Sequence, residues 1–162
     1  MAHPNVALVV KSYDALNRRD LDGFISAFAD DAVLHGADGQ IERKDAILSV
    51  IRQLIGLSEN SLEIDVHDIL ANDTHTVVLQ TTKAQLGERQ LEDRVVYVFH
   101  MNDDGLIRDA YFTGDPRVQE EFYGLTWTAT VLSGQRTFQE ASDNGTYERR
   151  FQMDGSGEWL SL

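Results

Sequence analysis

The sequence contains no cysteine, and it has no long hydrophobic run. Without cysteine, the chain cannot form disulfides, thiolate nucleophiles or thiolate metal ligands. No apolar stretch approaches the ~20 residues that a membrane-spanning helix needs. The first four residues, Met1 to Pro4, lack a basic region followed by an apolar run, so we expect no signal peptide. These absences are compatible with the cytoplasm, where we expect the protein to reside.

Positive charge is also scarce. The chain has 14 Lys and Arg against 27 Asp and Glu, which gives a net charge of −13. Residues 125–162 hold three of the basic and five of the acidic residues, so the acidity lies mostly in the first 124 residues. A phosphate-binding surface needs clustered Lys and Arg, and no such cluster is present. We therefore expect neither nucleic acid nor anionic membranes as partners.

Cofactor motifs are missing as well. The five histidines are scattered without the spacing of a metal site, so we predict no metal. Neither a P-loop nor a G-x-G-x-x-G fingerprint is present, and serine-nucleophile motifs are absent. We expect a protein that works without a cofactor.

The most informative stretch is 20–39. Asp20 lies where the N-cap of a helix belongs, and four apolar residues then recur at helical spacing: Leu21, Phe24, Ile25 and Phe28. Asp30 and Asp31 are expected to stop this helix. Residues 32–34 predict a short strand, and a polar loop follows that brings His35 and Asp38 directly after it.

The remaining periodicity predicts two more helices and then long strands. The helices span 6–17 and 44–56, and Gly56 is interpreted as a C-terminal stop. Strands are predicted at 62–70, 76–86, 90–101 and 106–113, with a strong hairpin turn at 102–105 and a short helical or irregular cap at 116–123. Helices followed by long antiparallel strands indicate an α+β fold: a strongly curved antiparallel or mixed sheet wrapped around three N-terminal helices into a cone.

Residues 125–162 form a second unit, rich in β-forming residues and divided by turn sequences. Strands are predicted at 126–132, 136–141, 147–153 and 158–162. We interpret this extension as a β-meander packed on the 1–124 domain or on a partner subunit; a lid over a cavity and a partly disordered tail are the alternatives.

Three groups of residues resemble a known family. They are Tyr13-Asp14-Ala15-Leu16-Asn17 with Asp20-Leu21, then Phe28-Ala29-Asp30-Asp31-Ala32, and finally the segments 99–107 and 120–124. The pattern resembles the SnoaL-like and ketosteroid-isomerase-like families of the nuclear-transport-factor-2-like superfamily. The resemblance covers roughly residues 5–124 and implies the cone fold. It says less about the reaction, because this fold hosts many chemistries.

The cone of such a family encloses an apolar pocket, so polar side chains that point inward are the catalytic candidates. The resemblance places the general base of ketosteroid isomerases at Gly36, between His35 and Asp38, and either neighbour could move a proton. It places an oxyanion-binding group at Tyr97, whose apolar alternates Val95 and Phe99 favour an inward orientation. Tyr13 is a further candidate donor on the first helix. The structural alternatives are a simple turn at Asp38, a surface role for His35 and core packing for both tyrosines.

Five residues are candidates for contacting the substrate: Phe28, Phe99, Phe112, Leu54 and His67. Phe112 occupies the position where SnoaL-type polyketide cyclases carry an acid, so their mechanism does not transfer directly. The arginine-and-two-aspartates arrangement of limonene epoxide hydrolases is not found on the 76–86 strand. For His67, a solvated pair with Asp65 is the alternative.

The resemblance implies a cofactor-independent enzyme that acts on an apolar small molecule by general acid/base catalysis. Isomerisation or cyclisation of a polyketide-type intermediate is the specific expectation. The alternative is a non-catalytic module for ligand binding or dimeric assembly. Under either reading we expect a homodimer through the convex sheet face, because Val96 and Val98 would otherwise face water.

Overall fold

The computed structural model describes the backbone of most of the chain. The described residues are 3–36, 39–123, 125–132, 135–140, 149–153 and 159–161. The fold is α+β, with helices at the N-terminus and a curved, unclosed six-stranded mixed sheet. This architecture confirms the fold class predicted from the sequence. None of the helices in these ranges is long and apolar enough to cross a membrane.

Helix α1 spans Pro4–Asn17 and leads into the short helix α2, Leu21–Ile25. The side chain of Asp20 accepts a hydrogen bond from the Gly23 backbone N–H at 2.9 Å, which confirms the predicted N-cap. The Asn17 side-chain amide donates to the Ile64 carbonyl at 2.8 Å and accepts from the Ile64 N–H at 2.9 Å. These paired bonds fix the end of α1 against the sheet.

Strand β1 spans Phe28–Gly36, so it begins four residues before the predicted strand. The prediction that helix two extends to Phe28 is wrong. Phe28 pairs with Ile107, whose N–H donates to the Ala27 carbonyl at 2.9 Å. This pairing with a distant strand outweighs the local helical spacing. At its other end β1 includes His35 and Gly36, which the sequence predicted as loop, and a further strand that was not predicted, β2, spans Gly39–Glu42.

Helix α3 spans Lys44–Leu57, and its C-cap is Ser58. Gly56 therefore lies inside the helix and is not its stop. The positive φ angles that end the turn belong to Glu59 and Asn60. The Ser58 hydroxyl donates back to the Leu54 carbonyl at 2.8 Å, and this carbonyl also accepts a hydrogen bond from the Ser58 backbone N–H at 3.0 Å.

The other strands of the main sheet follow as predicted. They are β3 at Glu63–Ala71, β4 at His75–Leu86, β5 at Arg89–Met101 and β6 at Ile107–Thr113. The sheet order is β2-β1-β6-β5-β4-β3, and only the β1–β6 pair is parallel. At the β5–β6 hairpin the Gly105 N–H donates to the Asn102 carbonyl at 2.9 Å, and Gly105 has φ +73°, as the predicted turn requires.

After the sheet come helix α4, Pro116–Tyr123, and a second sheet. Its four antiparallel strands have the order β10-β9-β8-β7. They are β7 at Leu125–Leu132, β8 at Gln135–Glu140, β9 at Arg149–Met153 and β10 at Trp159–Ser161.

The main core lies between the helices and one face of the six-stranded sheet, here called the inner face. Fully buried residues of this core include Val9 of α1, Ile47 of α3, Val78 of β4 and Ile107 of β6. Because successive residues of a strand point to opposite faces, the neighbours of the inner residues lie on the outer face. This alternation decides which polar side chains reach the interior.

Candidate functional site

A cavity of about 100 Å³ lies between the helices and the inner face of the sheet. Twenty described residues line it, and fourteen of these are apolar. The six polar ones are Ser12, Tyr13, Gln80, Thr82, Tyr97 and Tyr123. Among these lining residues there is no Asp, Glu, His, Lys or Arg. From these described residues a ligand therefore meets hydroxyl and amide groups but no formal charge.

Tyr13 and Tyr97 approach the cavity from opposite walls, one from α1 and the other from β5. Burial raises the pKa of Tyr97 to about 12, and the negative charge of Asp93 adds to this effect. Burial, followed by the influence of Tyr97, raises the pKa of Tyr13 well above its ordinary value. Both phenols are therefore protonated at neutral pH and can donate hydrogen bonds into the cavity.

The ring of Tyr97 is held in place by its aromatic neighbours. Its centroid lies 5.7 Å from that of Phe99 and 5.7 Å from that of Phe112. Phe99 also lines the cavity, whereas Phe112 packs against Tyr97 without lining it. Such packing limits the rotamers of Tyr97 and so fixes the direction of its hydroxyl.

Asp93 is a buried carboxylate on β5 that sequence reasoning missed. Its side chain is 5% exposed, and it lies opposite the cavity residue Thr82 in the β4–β5 register. A Cβ atom at Gly114 would lie 3.5 Å from Asp93 Oδ2, so the end of β6 approaches this carboxylate closely. The signal was present in the sequence: the inner-face series that contains Val95, Tyr97 and Phe99 passes through position 93 two residues earlier.

Gln80 is the second residue that sequence reasoning missed. It lies on β4, is 4% exposed and lines the cavity. Its Nε2 donates to Thr82 Oγ1 at 3.4 Å, and its Oε1 has no hydrogen-bond partner among the residues that the structure describes. The inner face of β4 therefore contributes to the cavity wall a residue whose buried amide oxygen is unpaired. Its sequence signal is weak, because β4 is moderately apolar on both faces.

His35 lies on the outer face and does not line the cavity, because its neighbour Leu34 takes the inward position on β1. His35 Nε2 donates to Asp109 Oδ1 at 3.0 Å, and the Gln40 amide lies 2.9 Å from its Nδ1. Its ring stacks on Tyr111 at a centroid distance of 4.1 Å. The structure therefore does not bring this predicted base to the tyrosines.

The Asp109 carboxylate accepts hydrogen bonds from two side chains, those of His35 and Arg108. The hydrogen bond from His35 and a second one from Arg108 Nε, at 2.9 Å, lower the pKa of the Asp109 carboxyl. Asp109 thus points away from the face of Phe112.

Of the remaining residues that the sequence predicted for the site, some line the cavity and others do not. Phe28, Phe99 and Leu54 line the cavity, as expected of residues that contact a ligand. His67 does not line it; its Nε2 lies 2.8 Å from Thr81 Oγ1, beside an irregularity in the β3–β4 pairing. Asp38 lies outside the described residues.

Two further expectations from the sequence concern a metal ion and a partner subunit. Within the described ranges, no group of three or more His, Cys, Asp or Glu side chains could hold a metal ion. The outer face carries Val96 and Val98, together with Leu79 and Tyr111, which are 38% and 39% exposed. Dimerisation through this face stays a prediction.

Comparisons with known proteins agree on the architecture. A family model described as a SnoaL-like domain matches residues 9–110. A search among curated proteins finds no sequence that matches. Among solved structures, Bal32a from a soil-derived mobile gene cassette is similar, with a TM-score of 0.67, 21% identity, and coverage of 74% of this chain and 95% of that chain.

Two further structures extend the comparison. One is an NTF2-like protein of unknown function from Burkholderia pseudomallei, with a TM-score of 0.65, 20% identity, and coverage of 75% of this chain and 98% of the other. The other is an epoxide hydrolase from M. tuberculosis described as LEH-like, with a TM-score of 0.59, 20% identity, and coverage of 74% and 88%. At these identities the likeness concerns the fold alone.

Proposed function

Because this chain belongs to the SnoaL-like family of the nuclear-transport-factor-2-like superfamily, we propose that its cavity is an active site. The proposed activity is cofactor-independent general acid/base catalysis on an apolar small molecule that carries a carbonyl group. Isomerisation or cyclisation of a polyketide-type intermediate is the specific reaction we propose. The family resemblance, and an LEH-like epoxide hydrolase among the similar structures, support an enzymatic role.

One observation carries this proposal: two protonated tyrosine hydroxyls, Tyr13 and Tyr97, border a cavity whose lining is mainly apolar. Hydrogen-bond donors in a water-poor site stabilise negative charge that develops on a carbonyl oxygen. The stabilisation is larger than in water, because the low local dielectric strengthens each interaction. A ketone whose oxygen lies between these hydroxyls would therefore lose an α-proton more easily.

The proton needs an acceptor, and two carboxylates are candidates. Asp93 is buried on the same strand face as Tyr97, and Asp38 follows β1 in the sequence. The base takes the proton of a carbon next to the carbonyl, the C–H electrons form a C=C bond, and the carbonyl oxygen becomes an enolate. For isomerisation, the protonated base returns the proton to a different carbon. For cyclisation, the enolate carbon attacks a second carbonyl, whose oxygen takes the proton.

A non-catalytic binding module is the second candidate, and one observation favours it. None of the twenty described lining residues carries a carboxylate or an imidazole, so the described wall holds donors without a base. In this case the cavity would bind its ligand and leave it unchanged.

Deuterium exchange separates the two functions without knowledge of the natural substrate. The probe is para-methylacetophenone in D₂O, and NMR follows both its binding and the loss of its α-proton signal. An active site predicts exchange faster than in buffer, and Tyr97→Phe should slow it by about 10²–10³-fold. Asp93→Asn should also slow the exchange if Asp93 is the base.

Leu79→Ala, on the outer face, is the matched control and should leave the exchange rate unchanged. Binding of the probe without exchange above the buffer rate would contradict the enzyme and support the binding module. Absence of both binding and exchange would overturn the assignment of the cavity as a ligand site.

A further inference from the structure

Gln80 is one of the six polar residues in the described wall of the mainly apolar cavity. Its side chain is 4% exposed and lines the cavity, and its Oε1 has no hydrogen-bond partner in the described part of the chain. An acceptor that is shielded from water and left unpaired destabilises the folded protein. Any group in the cavity that donates a hydrogen bond to this oxygen removes the penalty, so an empty acceptor of this kind points to a ligand.

The register of the sheet gives the position of this acceptor relative to the tyrosine donors. Tyr97 lies opposite Val78, and Gln80 is the next inner-face residue along β4 after Val78. Residues two apart on a strand are separated by about 7 Å. The backbone positions of the donor residue Tyr97 and the acceptor residue Gln80 are therefore separated by about the length of a substituted benzene ring.

The charges around the cavity limit the chemistry of the ligand. Since no described lining residue is ionised, neither a ligand ammonium nor a ligand carboxylate would find a counter-charge. A neutral hydroxyl group can satisfy Gln80 Oε1 at no such cost. The neighbouring Thr82 hydroxyl already accepts a hydrogen bond from Gln80 Nε2, which directs the amide oxygen away from it.

We propose that Gln80 determines the specificity of the cavity by accepting a hydrogen bond from a ligand hydroxyl, so that the site selects hydroxy-carbonyl compounds. The carbonyl oxygen of such a compound meets the tyrosine hydroxyls, and its hydroxyl group meets Gln80. This inference rests on the proposed function, since it assumes that the carbonyl end binds at Tyr13 and Tyr97.

A matched pair of probes tests the proposal. Para-hydroxyacetophenone and para-methylacetophenone share the ring and the carbonyl, and they differ in a hydroxyl against a methyl group of similar size. Calorimetry on the full chain should show that the hydroxyl probe binds about tenfold more tightly. In Gln80→Met, which keeps the length of the side chain and removes both amide groups, the two affinities should become equal.

Leu79→Ala, on the outer face, is the second variant, and it should keep the preference for the hydroxyl probe. Equal affinities in the wild type, as when a water molecule already satisfies Gln80, would overturn the inference. So would a preference that survives in Gln80→Met or disappears in Leu79→Ala. Failure of the proposed function looks different: neither probe binds, or Tyr97→Phe leaves the affinity for the methyl probe unchanged.

Discussion

Alkaline pH offers a direct test of whether the cavity hydroxyls are as buried as the structure indicates. The pKa of Tyr97 in the folded protein is about 12, whereas an unfolded tyrosine has a pKa of about 10. The folded state therefore holds this proton more tightly than the unfolded state does. The contribution of Tyr97 to stability is complete below about pH 10 and is lost as the pH rises from about 10 to about 12.

The size of the loss follows from the difference between the two pKa values. Each pH unit corresponds to about 1.4 kcal/mol, so Tyr97 should account for about 2–3 kcal/mol of the free energy of unfolding. Tyr123, whose pKa burial also raises to about 12, and Tyr13 add to the total loss in the wild type. Comparison with Tyr97→Phe isolates the contribution of Tyr97.

Urea unfolding, followed by circular dichroism at a series of pH values between about 9 and 12, measures this difference. The wild type should lose about 2–3 kcal/mol more than Tyr97→Phe across this interval. Phe99→Leu is the control, since its ring lies 5.7 Å from that of Tyr97 but carries no titrating group. It should lower stability equally at every pH. Parallel curves for the wild type and Tyr97→Phe would refute the reasoning, because they would show that the fold does not raise the pKa of Tyr97.

Three further predictions concern the elements that hold the site. Asp109→Asn should lower the free energy of unfolding by about 1–2 kcal/mol near neutral pH and by almost nothing near pH 2. The reason is that the hydrogen bonds that lower the pKa of the Asp109 carboxyl stabilise the fold only while this carboxyl is ionised. Equal losses at both pH values would contradict this prediction. Ile47→Ala, in the core, should cost about 2–5 kcal/mol in denaturant unfolding, whereas Val10→Ala, at a 43% exposed position, should change stability by less than about 0.5 kcal/mol. In thermal unfolding Gly56→Ala should raise stability by about 0.5–1 kcal/mol, since no atom would obstruct the new methyl group. Gly105→Ala, at φ +73°, should instead lower stability by about 1–2 kcal/mol. The opposite order would show that backbone conformation does not govern stability at these positions.

The sequence by itself determined the local elements and the family. Helical spacing predicted α1 and α3, β-forming runs predicted β3 to β6, and Asn102 to Gly105 predicted the hairpin between the last two. These features depend on contacts between residues close in sequence, and such contacts are encoded in periodicity and turn chemistry. The same alternation placed Tyr97 on the inner face, where the structure finds it.

Only the tertiary structure decided which candidates meet. Phe28 fits the helical spacing of the preceding residues, yet it begins β1, because it pairs with Ile107, which is nearly eighty residues away in the sequence. His35 follows a strand whose inward position belongs to Leu34, and a shift of one residue moves every side chain of a strand to the opposite face. Periodicity in the sequence shows that side chains alternate along a strand, but the pairing with partner strands determines which alternating set of side chains faces the core.

The candidate site shows the same division. Tyr13 and Tyr97 were named from the sequence, yet their common cavity depends on how α1 packs over the inner face of the sheet. Sequence reasoning missed Gln80 because both faces of β4 are moderately apolar, and it missed Asp93 although the alternation through Tyr97 and Val95 extends to that position. Their burial results from helices and strands distant in sequence that exclude water from them, and this exclusion gives both residues their chemical significance.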